Sequence, residues 1–506
     1  MKLLTREQAC ELDRIAIKQM GIPSIELMGK AGSAVAEYAQ NMVAGIHNPK
    51  IAIICGKGNN AGDGYRAAYE LQKVCVNPQV FIIPNKIEIK GDSLFYYNKC
   101  VENNVVLNHS IDTPKQQFDL IIDAILGTGF KGELRNPILE YTKWIRNQNS
   151  LILSIDIPSG VDANNGIVAD NAIMADTTVT MGMVKVGMTI EPGKSHCGEI
   201  ITVDIGFPDI YKELPGMKYR MVNEDLAYKY LGAPDVNTYK HQQGKLLIIA
   251  GSRGMTGAAI LASHGAIRSG AGLVTTFASK SLNNIYETNI IEGLTVSCED
   301  DGQGIFTKNN YDEIEKYFDW SDALLIGPGL GNNILTTKLV NKIVENYTKP
   351  LVIDADGLNC FNGNLDLFDK IKSDYIITPH HGELAKLINT NVFKIRDNLI
   401  EYIQNFMEKY KGTLVAKNAP TLVVHQNEIV INSTGNQGLA TGGTGDVLSG
   451  VIASYVAQGI PVPIAAELGV FIHGKAADII AENKGYRGMI ASDLLDALPQ
   501  AIMTYE

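Results

Sequence analysis

The chain has 506 residues, of which 45% are hydrophobic and 20% charged. That is an ordinary globular composition, with length for two to four domains, and it excludes disorder as the main theme. A formal net charge of −11 makes a general nucleic-acid or anionic-membrane binder a poor match.

The seven cysteines (10, 55, 75, 100, 197, 298 and 360) are scattered and never spaced C-x-x-C. They read as reduced thiols, with neither a disulfide framework nor a cysteine zinc site. The opening run from Met1 to Glu7 has no apolar core for a signal peptide. The apolar stretch from Val447 to Ile472 is interrupted by Gln458, Pro461, Pro463 and Glu467, short of the ~20 nearly unbroken apolar residues of a membrane span. A soluble, cytoplasmic protein is expected.

In chain order, Thr5-x-x-Gln8 predicts a capping box opening a helix through Leu12, Ile15 and Ala16. Short apolar runs follow as strand candidates: Ile51–Ile54, Val80–Ile83, Leu120–Ile125, Leu151–Ile155, Thr177–Thr180 and Ile200–Ile205. Strand-breaking residues from Phe207-Pro208 through Leu214-Pro215-Gly216 mark a boundary. The rhythm then restarts with Leu246–Ile249, Leu324–Ile326, Leu351–Ile353, Tyr375–Thr378 and Leu414–Ala416. Continuous apolar strands alternating with helical stretches predict parallel sheets covered on both faces. The expectation is an α/β chain of two domains, 1–217 and 218–506. Glycine, at 49 residues, clusters in loops after the apolar runs, where open α/β sheets bind ligands.

The first such loop, Gly56-Lys57-Gly58-Asn59-Asn60-Ala61-Gly62-Asp63-Gly64, contains G-x-G-x-x-A but lacks the acid about 20 residues on that holds a ribose, since the second strand ends Ile83-Pro84-Asn85. It is not a Walker A loop either. Two amides and a carboxylate in a turn before a helix suit an anion or a hard cation; a tight turn with Asx caps is the even-odds alternative. Asp123, in Asp123-Ala124-Ile125-Leu126-Gly127-Thr128-Gly129-Phe130, and Asp156, in Asp156-Ile157-Pro158-Ser159-Gly160-Val161-Asp162, add carboxylates at strand ends, costly to bury unless paired or used. Together these segments resemble the N-terminal epimerase domain of the bifunctional NAD(P)H-hydrate repair enzymes. The resemblance implies a Rossmann-like three-layer α/β/α sandwich. It also implies potassium held by Asn60, Asp123 and Ser159. Contacts to the hydrated nucleotide fall at Asn59, Asn60, Ala61, Gly62, Asp63, Gly127, Thr128, Gly129, Phe130, Lys131, Gly132, Glu133 and Asp156. Ala61 stands where the family commonly has glycine. Epimerisation needs C–O cleavage and re-addition at C6 of the ring, and Asp156 is the candidate acid/base.

In the second domain the run from Asn432 to Asp446, ending Thr441-Gly442-Gly443-Thr444-Gly445-Asp446, leads straight into an apolar helix. Small residues let backbone approach a phosphate and the helix N-terminus supplies N–H donors. Asp446 is placed in the first turn to take a proton from an attacking hydroxyl. A glycine-rich turn with a simple N-terminal acid is the bland alternative, at about one in ten, because the run exceeds what a turn needs.

The Gly-Thr-Gly-Asp loop resembles that of ribokinase-like kinases. Gly251-Ser252-Arg253-Gly254-Met255-Thr256-Gly257-Ala258, Gly327-Pro328-Gly329-Leu330-Gly331, Asp354-Ala355-Asp356-Gly357, Thr378-Pro379-His380-His381-Gly382-Glu383 and Lys417-Asn418-Ala419-Pro420-Thr421 resemble, in order, the ADP-dependent NAD(P)H-hydrate dehydratases. That implies a ribokinase-like α/β/α domain, with nucleotide at Lys417, Asn418, Ala419, Pro420, Thr421 and Gly445, hydrate at Ala258, Gly329, His380 and Asp446, and magnesium accompanying ADP. His381 replaces a usual proline, and Asn418 a usual glycine, which bears on the shape of the nucleotide loop.

Other features read blandly. His380, His381 and Glu383 lack a third ligand at metal spacing, and His381 is assigned to surface or packing. His473 reads as a satisfied core histidine. Phe95, Tyr96 and Tyr97 cannot share one helix face. The expected function is epimerisation of the R hydrate and dehydration of the S hydrate at the expense of ADP, in a homo-oligomer. The competing readings are a ribokinase-like small-molecule kinase and a non-catalytic scaffold built on the first domain. Retention of Asn60, Asp123, Asp156 and Ser159 argues against the scaffold.

Overall fold

The computed structural model describes residues 1–83, 89–109, 113–207, 214 and 216–506. Most of the boundary segment read at 208–216, and Pro84 and Asn85, therefore lie outside the described residues. The chain divides into two compact units, Lys2–Tyr219 and Arg220–Glu506, the latter also taking Met1.

The first unit is built on seven strands: β1 (Ile51–Cys55), β2 (Gln79–Ile82), β3 (Val106–Asn108), β4 (Leu120–Ala124), β5 (Leu151–Ile155), β6 (Thr177–Met181) and β7 (Glu199–Val203). Their order is 3-2-1-4-5-6-7, with every pairing parallel. Side chains alternate between two cores, as a strand's period of two requires. Ile51, Ile53 and Cys55 enter one, with helices Ser24–Met42 and Asn59–Lys73; Ala52 and Ile54 enter the other, with Tyr141 and Ile145. A sheet covered on both faces explains the unbroken apolar runs. The order reverses between β1 and β4, and the crevice beyond the carboxyl ends at such a switch is where ligands bind.

The second unit carries a ten-stranded sheet of β8 (Tyr219–Met221), β9 (Lys245–Ile249), β10 (Leu273–Ser279), β11 (Leu294–Cys298), β12 (Ala323–Ile326), β13 (Leu351–Ile353), β14 (Tyr375–Ile377), β15 (Thr413–Ala416), β16 (Leu422–His425) and β17 (Glu428–Ile431). Their order is 11-10-9-12-13-14-15-16-17-8. Pairing is parallel from β11 to β15 and antiparallel through β16 and β17. Here the switch lies between β9 and β12. Helix Thr444–Ala457 and the first part of helix Val462–Lys484 are largely apolar and buried, as helices inside a large core must be.

The capping box at Thr5 and Gln8 is present, but the helix it opens ends at Arg14 and continues as a π-turn over Ile15–Gln19. Tyr96 and Tyr97 are buried and Phe95 is exposed, as one face of a helix dictates. Among the described residues no helix is long and apolar enough to cross a membrane.

Candidate active sites

In the first unit the switch point opens into a cavity of about 1430 Å³. Gly56 ends β1 against the next strand: its N–H donates to the Ala124 carbonyl at 3.0 Å, and a Cβ there would lie 2.0 Å from the Ile125 carbonyl oxygen. Gly58 then caps helix Asn59–Lys73. The two amides and Asp63 thus stand in that helix's first turns rather than in a turn before it. Asn59, Asn60 and Asp63 line the cavity with every residue from Gly127 to Glu133. Ala61 and Gly62 are buried behind it, and a Cβ on Gly62 would meet the Met28 sulfur at 2.4 Å. Any ligand contact of theirs goes through backbone.

Asp123 is wholly buried at the end of β4. One carboxylate oxygen accepts from the Ser159 hydroxyl at 2.6 Å and the Ile125 N–H at 3.2 Å. The other accepts from the Ser159 N–H at 2.8 Å and the Ser154 hydroxyl at 3.0 Å. The Asn60 amide donates to the Leu126 carbonyl at 2.9 Å, and the Leu126 N–H to the Ser159 hydroxyl at 2.9 Å. Asn60, Asp123, Ser159 and the Leu126 backbone therefore meet in one network. Burial raises the Asp123 carboxyl above its ordinary value despite these donors. None of the described ion pairs gives it a cation.

Asp156 follows β5 with φ at 67°, a left-handed conformation that non-glycine residues adopt sparingly and that clusters at functional sites. Its carboxylate accepts from Lys185 in a short hydrogen bond and from the Thr180 hydroxyl at 3.3 Å. Lys185, 2% exposed, also donates to the Thr180 hydroxyl at 2.7 Å and the Met181 carbonyl at 3.2 Å. The sequence reading missed Lys185; it also missed Asp13, which lines the same cavity. Arg6 donates to the Thr128 and Phe130 carbonyls at 2.8 and 2.7 Å and pairs with Asp162 at 2.9 Å, fixing the shape of the glycine loop.

In the second unit Gly251, after β9, donates to the Pro328 carbonyl at 2.7 Å, and Ser252 to that of Gly329 at 2.8 Å. Gly329 has φ at 62°, and a Cβ there would stand 2.9 Å from that of Ala258. The two predicted hydrate contacts are therefore neighbours. His380 caps helix His381–Leu387: its Nδ1 accepts from the Gly382 N–H at 2.9 Å and the Glu383 N–H at 3.3 Å, leaving the ring exposed. His381 is half-buried, as a packing residue is.

The Asn432–Asp446 run serves two purposes. Its first half is anchored to helix Val462–Lys484: Thr434 donates to the Phe471 carbonyl at 2.7 Å, and Gly435 N–H and Asn436 both donate to Asp478, at 2.9 and 2.8 Å. Gly443 caps helix Thr444–Ala457 with φ at 89°, which glycine tolerates. A Cβ on Gly442 would meet open space, and one on Gly445 would lie 3.5 Å from the Lys417 ammonium. His473 is buried, with Nε2 3.0 Å from the Thr444 carbonyl, and burial pushes its pKa down to about 4. It is the satisfied core histidine expected.

Lys417 ends β15 beside this helix start and pairs with the buried Asp354 at 2.8 Å. Thr378 donates to the same Asp354 oxygen at 2.5 Å. From Lys417 the chain turns through a cis Ala419-Pro420 bond, with the Thr421 hydroxyl on the Asn418 carbonyl at 3.1 Å. Half-buried Asp446 faces this cluster. Burial first, then the Asp354 carboxylate, push its pKa up to about 7, against the pull of Lys417. A carboxyl that titrates near neutrality at a helix N-terminus, next to a fixed ammonium, is equipped to take a proton while a phosphate is held.

The second unit's architecture is that of ribokinase-like proteins. An NAD(P)H-hydrate dehydratase of Bacillus subtilis, solved with ATP and Mg²⁺ and titled ADP/ATP-dependent, aligns with a TM-score of 0.50 at 26% identity, over 56% of this chain and 98% of its own. The family described as NAD(P)H-hydrate dehydratase matches residues 246–500, and that described as YjeF-related protein N-terminus matches residues 24–187. The bifunctional NAD(P)H-hydrate repair enzyme Nnr of Moorella thermoacetica is 34% identical over 100% of this chain and 97% of its own length, and that of Dictyoglomus turgidum 32% identical over 99% and 98%. The chain belongs to the bifunctional NAD(P)H-hydrate repair enzymes.

Proposed function

We propose that the first unit epimerises the R and S hydrates of NAD(P)H and that the second dehydrates the S hydrate at the expense of ADP, giving AMP and phosphate. The observation that carries this reading is Asp446, titrating near neutrality between Lys417 and the glycine-rich helix start. Asp446 takes the proton of the C6 hydroxyl as its oxygen attacks the terminal phosphoryl of the nucleotide. Backbone N–H groups from Gly443 onward and Lys417 meet the phosphate charge. The ring nitrogen's lone pair then expels phosphate, a far better leaving group than hydroxide, and loss of a proton from C5 to water closes the C5=C6 bond and returns the lone pair to nitrogen. Lys417–Thr421 and Gly445 border the nucleotide; Ala258, Gly329 and His380 border the hydrate. Magnesium would travel with the nucleotide phosphates.

Mixing the full-length protein, ADP and NADH hydrate tests this directly: NADH absorbance should return, and its absence with both S hydrate and nucleotide present would overturn the assignment. A second outcome follows from the Asp446 pKa of about 7. The base must be ionised, so kcat/KM for dehydration should fall about tenfold per unit as pH drops below that value and level off above it.

In the first unit Asn60, Asp123 and Ser159 fit potassium. They present hard oxygens around a buried carboxylate that lacks a cation partner, as such ions require. The ion would neutralise Asp123 and shape the loop from Leu126 onward, while Asn59, Asp63 and Gly127–Glu133 hold the hydrate and Asp156 moves protons. Potassium bound only by the folded state raises its stability. It should therefore raise the unfolding temperature of the wild type, while Asp123→Asn, whose amide N–H meets a backbone N–H donor whichever way it turns, should unfold lower in both buffers and respond to potassium at least about 10-fold more weakly. An unchanged potassium response in the variant would remove the site.

A further inference from the structure

Inverting C6 requires oxygen to leave from one face of the nicotinamide ring and water to arrive at the other. One carboxylate fixed at a strand end does not reach both faces, so a second proton-transfer group belongs in the cavity. Asp13 lies on helix Arg6–Arg14 and lines the cavity with Asp63, Asp156 and Lys185. That helix is held to the site at two points. Arg6 clamps the loop at Thr128 and Phe130. Leu4 pairs with the chain at Lys185: its N–H donates to the Val184 carbonyl at 3.0 Å, and its carbonyl accepts from the Val186 N–H at 2.9 Å.

The two carboxylates are differently furnished. Asp156 accepts from the Lys185 ammonium and the Thr180 hydroxyl. Asp13 is open to the cavity and takes part in none of the described ion pairs.

We infer that Asp13 is the second catalytic acid/base of the epimerase, serving the ring face opposite Asp156. This rests on the epimerase reading of the first unit. In the R-to-S direction, the Asp13 carboxyl gives its proton to the C6 hydroxyl. The C6–O bond breaks as the N1 lone pair forms the C6=N1 iminium, and water departs. A second water adds to the other face of C6, its electron pair closing the new C–O bond while N1 regains its lone pair, and its proton passes to Asp156. The reverse reaction runs through the same groups with roles exchanged, and solvent returns the proton between turnovers.

Partial loss of hydration at the cavity wall, and then the Asp156 charge, push the Asp13 carboxyl up to about 6, against the pull of Lys185, so that it holds a proton closer to neutrality than an ordinary aspartate. The groups facing it are Asp156 and Lys185, with Asp63 and Cys10 on its flanks. Paired titratable groups set apart by their surroundings are the mark of acid and base assignments.

The test measures interconversion of resolved R and S hydrates by the full chain without nucleotide, so that dehydration does not intervene. Asp13→Asn should slow interconversion about 10²-fold or more and flatten the limb on which wild-type kcat/KM falls as pH rises past the Asp13 titration. Asp13→Gly should recover rate with added formate. ADP-dependent dehydration of pure S hydrate should be unchanged in both variants, and hydrogen-exchange protection over Leu151–Ile155 and Thr177–Met181 should match the wild type, reporting an intact first unit. Wild-type rate and pH profile in Asp13→Asn would overturn the role of Asp13 alone. A wild-type chain that does not interconvert the hydrates would instead overturn the epimerase reading beneath it.

Discussion

Asp446→Asn should slow dehydration of the S hydrate severely and leave nucleotide binding in place. The loss expected for removing a general base is about 10²–10⁴-fold in kcat, or roughly 2.7–5.4 kcal/mol of transition-state stabilisation at 1.36 kcal/mol per decade. The substitution is nearly isosteric and removes a carboxylate that its surroundings already disfavour, so the fold carries no penalty. Lys417 keeps its partner, because its close ion pair is with Asp354 at 2.8 Å. The backbone N–H groups at Gly443–Gly445 are untouched. Single-turnover kinetics with S-NADHX, beside calorimetric titration with ADP, separate the two effects. Undiminished turnover would remove Asp446 from the chemistry, whereas lost ADP binding would recast it as part of the nucleotide site.

What could be read from the sequence follows a physical line. Asp123 and Asp156 were legible because an acid closing an apolar strand has few structural excuses. Asp446 was legible because glycines before an apolar helix define a phosphate turn. Lys185 was not: it lies beyond β6 in Gly182-Met183-Val184-Lys185-Val186-Gly187, an apolar stretch with isolated glycines rather than a glycine cluster, and only the parallel neighbourhood of β5 and β6 brings it to Asp156. Asp13 was hidden because an acid on an amphipathic helix reads as a solvated face. Among the strands, β10 was passed over because Thr275 and Thr276 interrupt its apolar run, although both are buried and Thr276 shares a 2.7 Å hydrogen bond with Ser263. The β16–β17 hairpin turns on Gln426-Asn427, with Gln426 at φ 50°. Without the Asn-Gly or Asp-Gly signal such turns favour, it had no local signature. The glycine run before Asp446 was over-read in one respect, since its first half is tied to Asp478 and supports the phosphate turn from behind.

The Asp156–Lys185 pair yields the second large effect, and a cycle of variants separates chemistry from stability. Breaking a buried ion pair by removing one partner costs about 3–5 kcal/mol, because the survivor is left charged and unpaired. The two halves are not equivalent. The Lys185 side chain is 3% exposed and that of Asp156 17%, open to the cavity. Asp156→Asn leaves the buried ammonium with neutral acceptors alone, the amide oxygen at 156, the Thr180 hydroxyl and the Met181 carbonyl. Lys185→Met strands a carboxylate that cavity water reaches. Asp156→Asn should therefore be the more destabilising, and Lys185→Met should fall at or below the lower end of that range. The double variant, with no charge left to strand, should recover most of the lost stability. Epimerisation should be lost in all three, by about 10²-fold or more, because in the proposed reaction Asp156 moves the proton and Lys185 holds its carboxylate in position. Hydrogen-exchange protection over Leu151–Ile155 and Thr177–Met181 in the full chain isolates the response of this unit from the other. Epimerisation returning with stability in the double variant would show that the pair holds the fold and takes no part in the reaction.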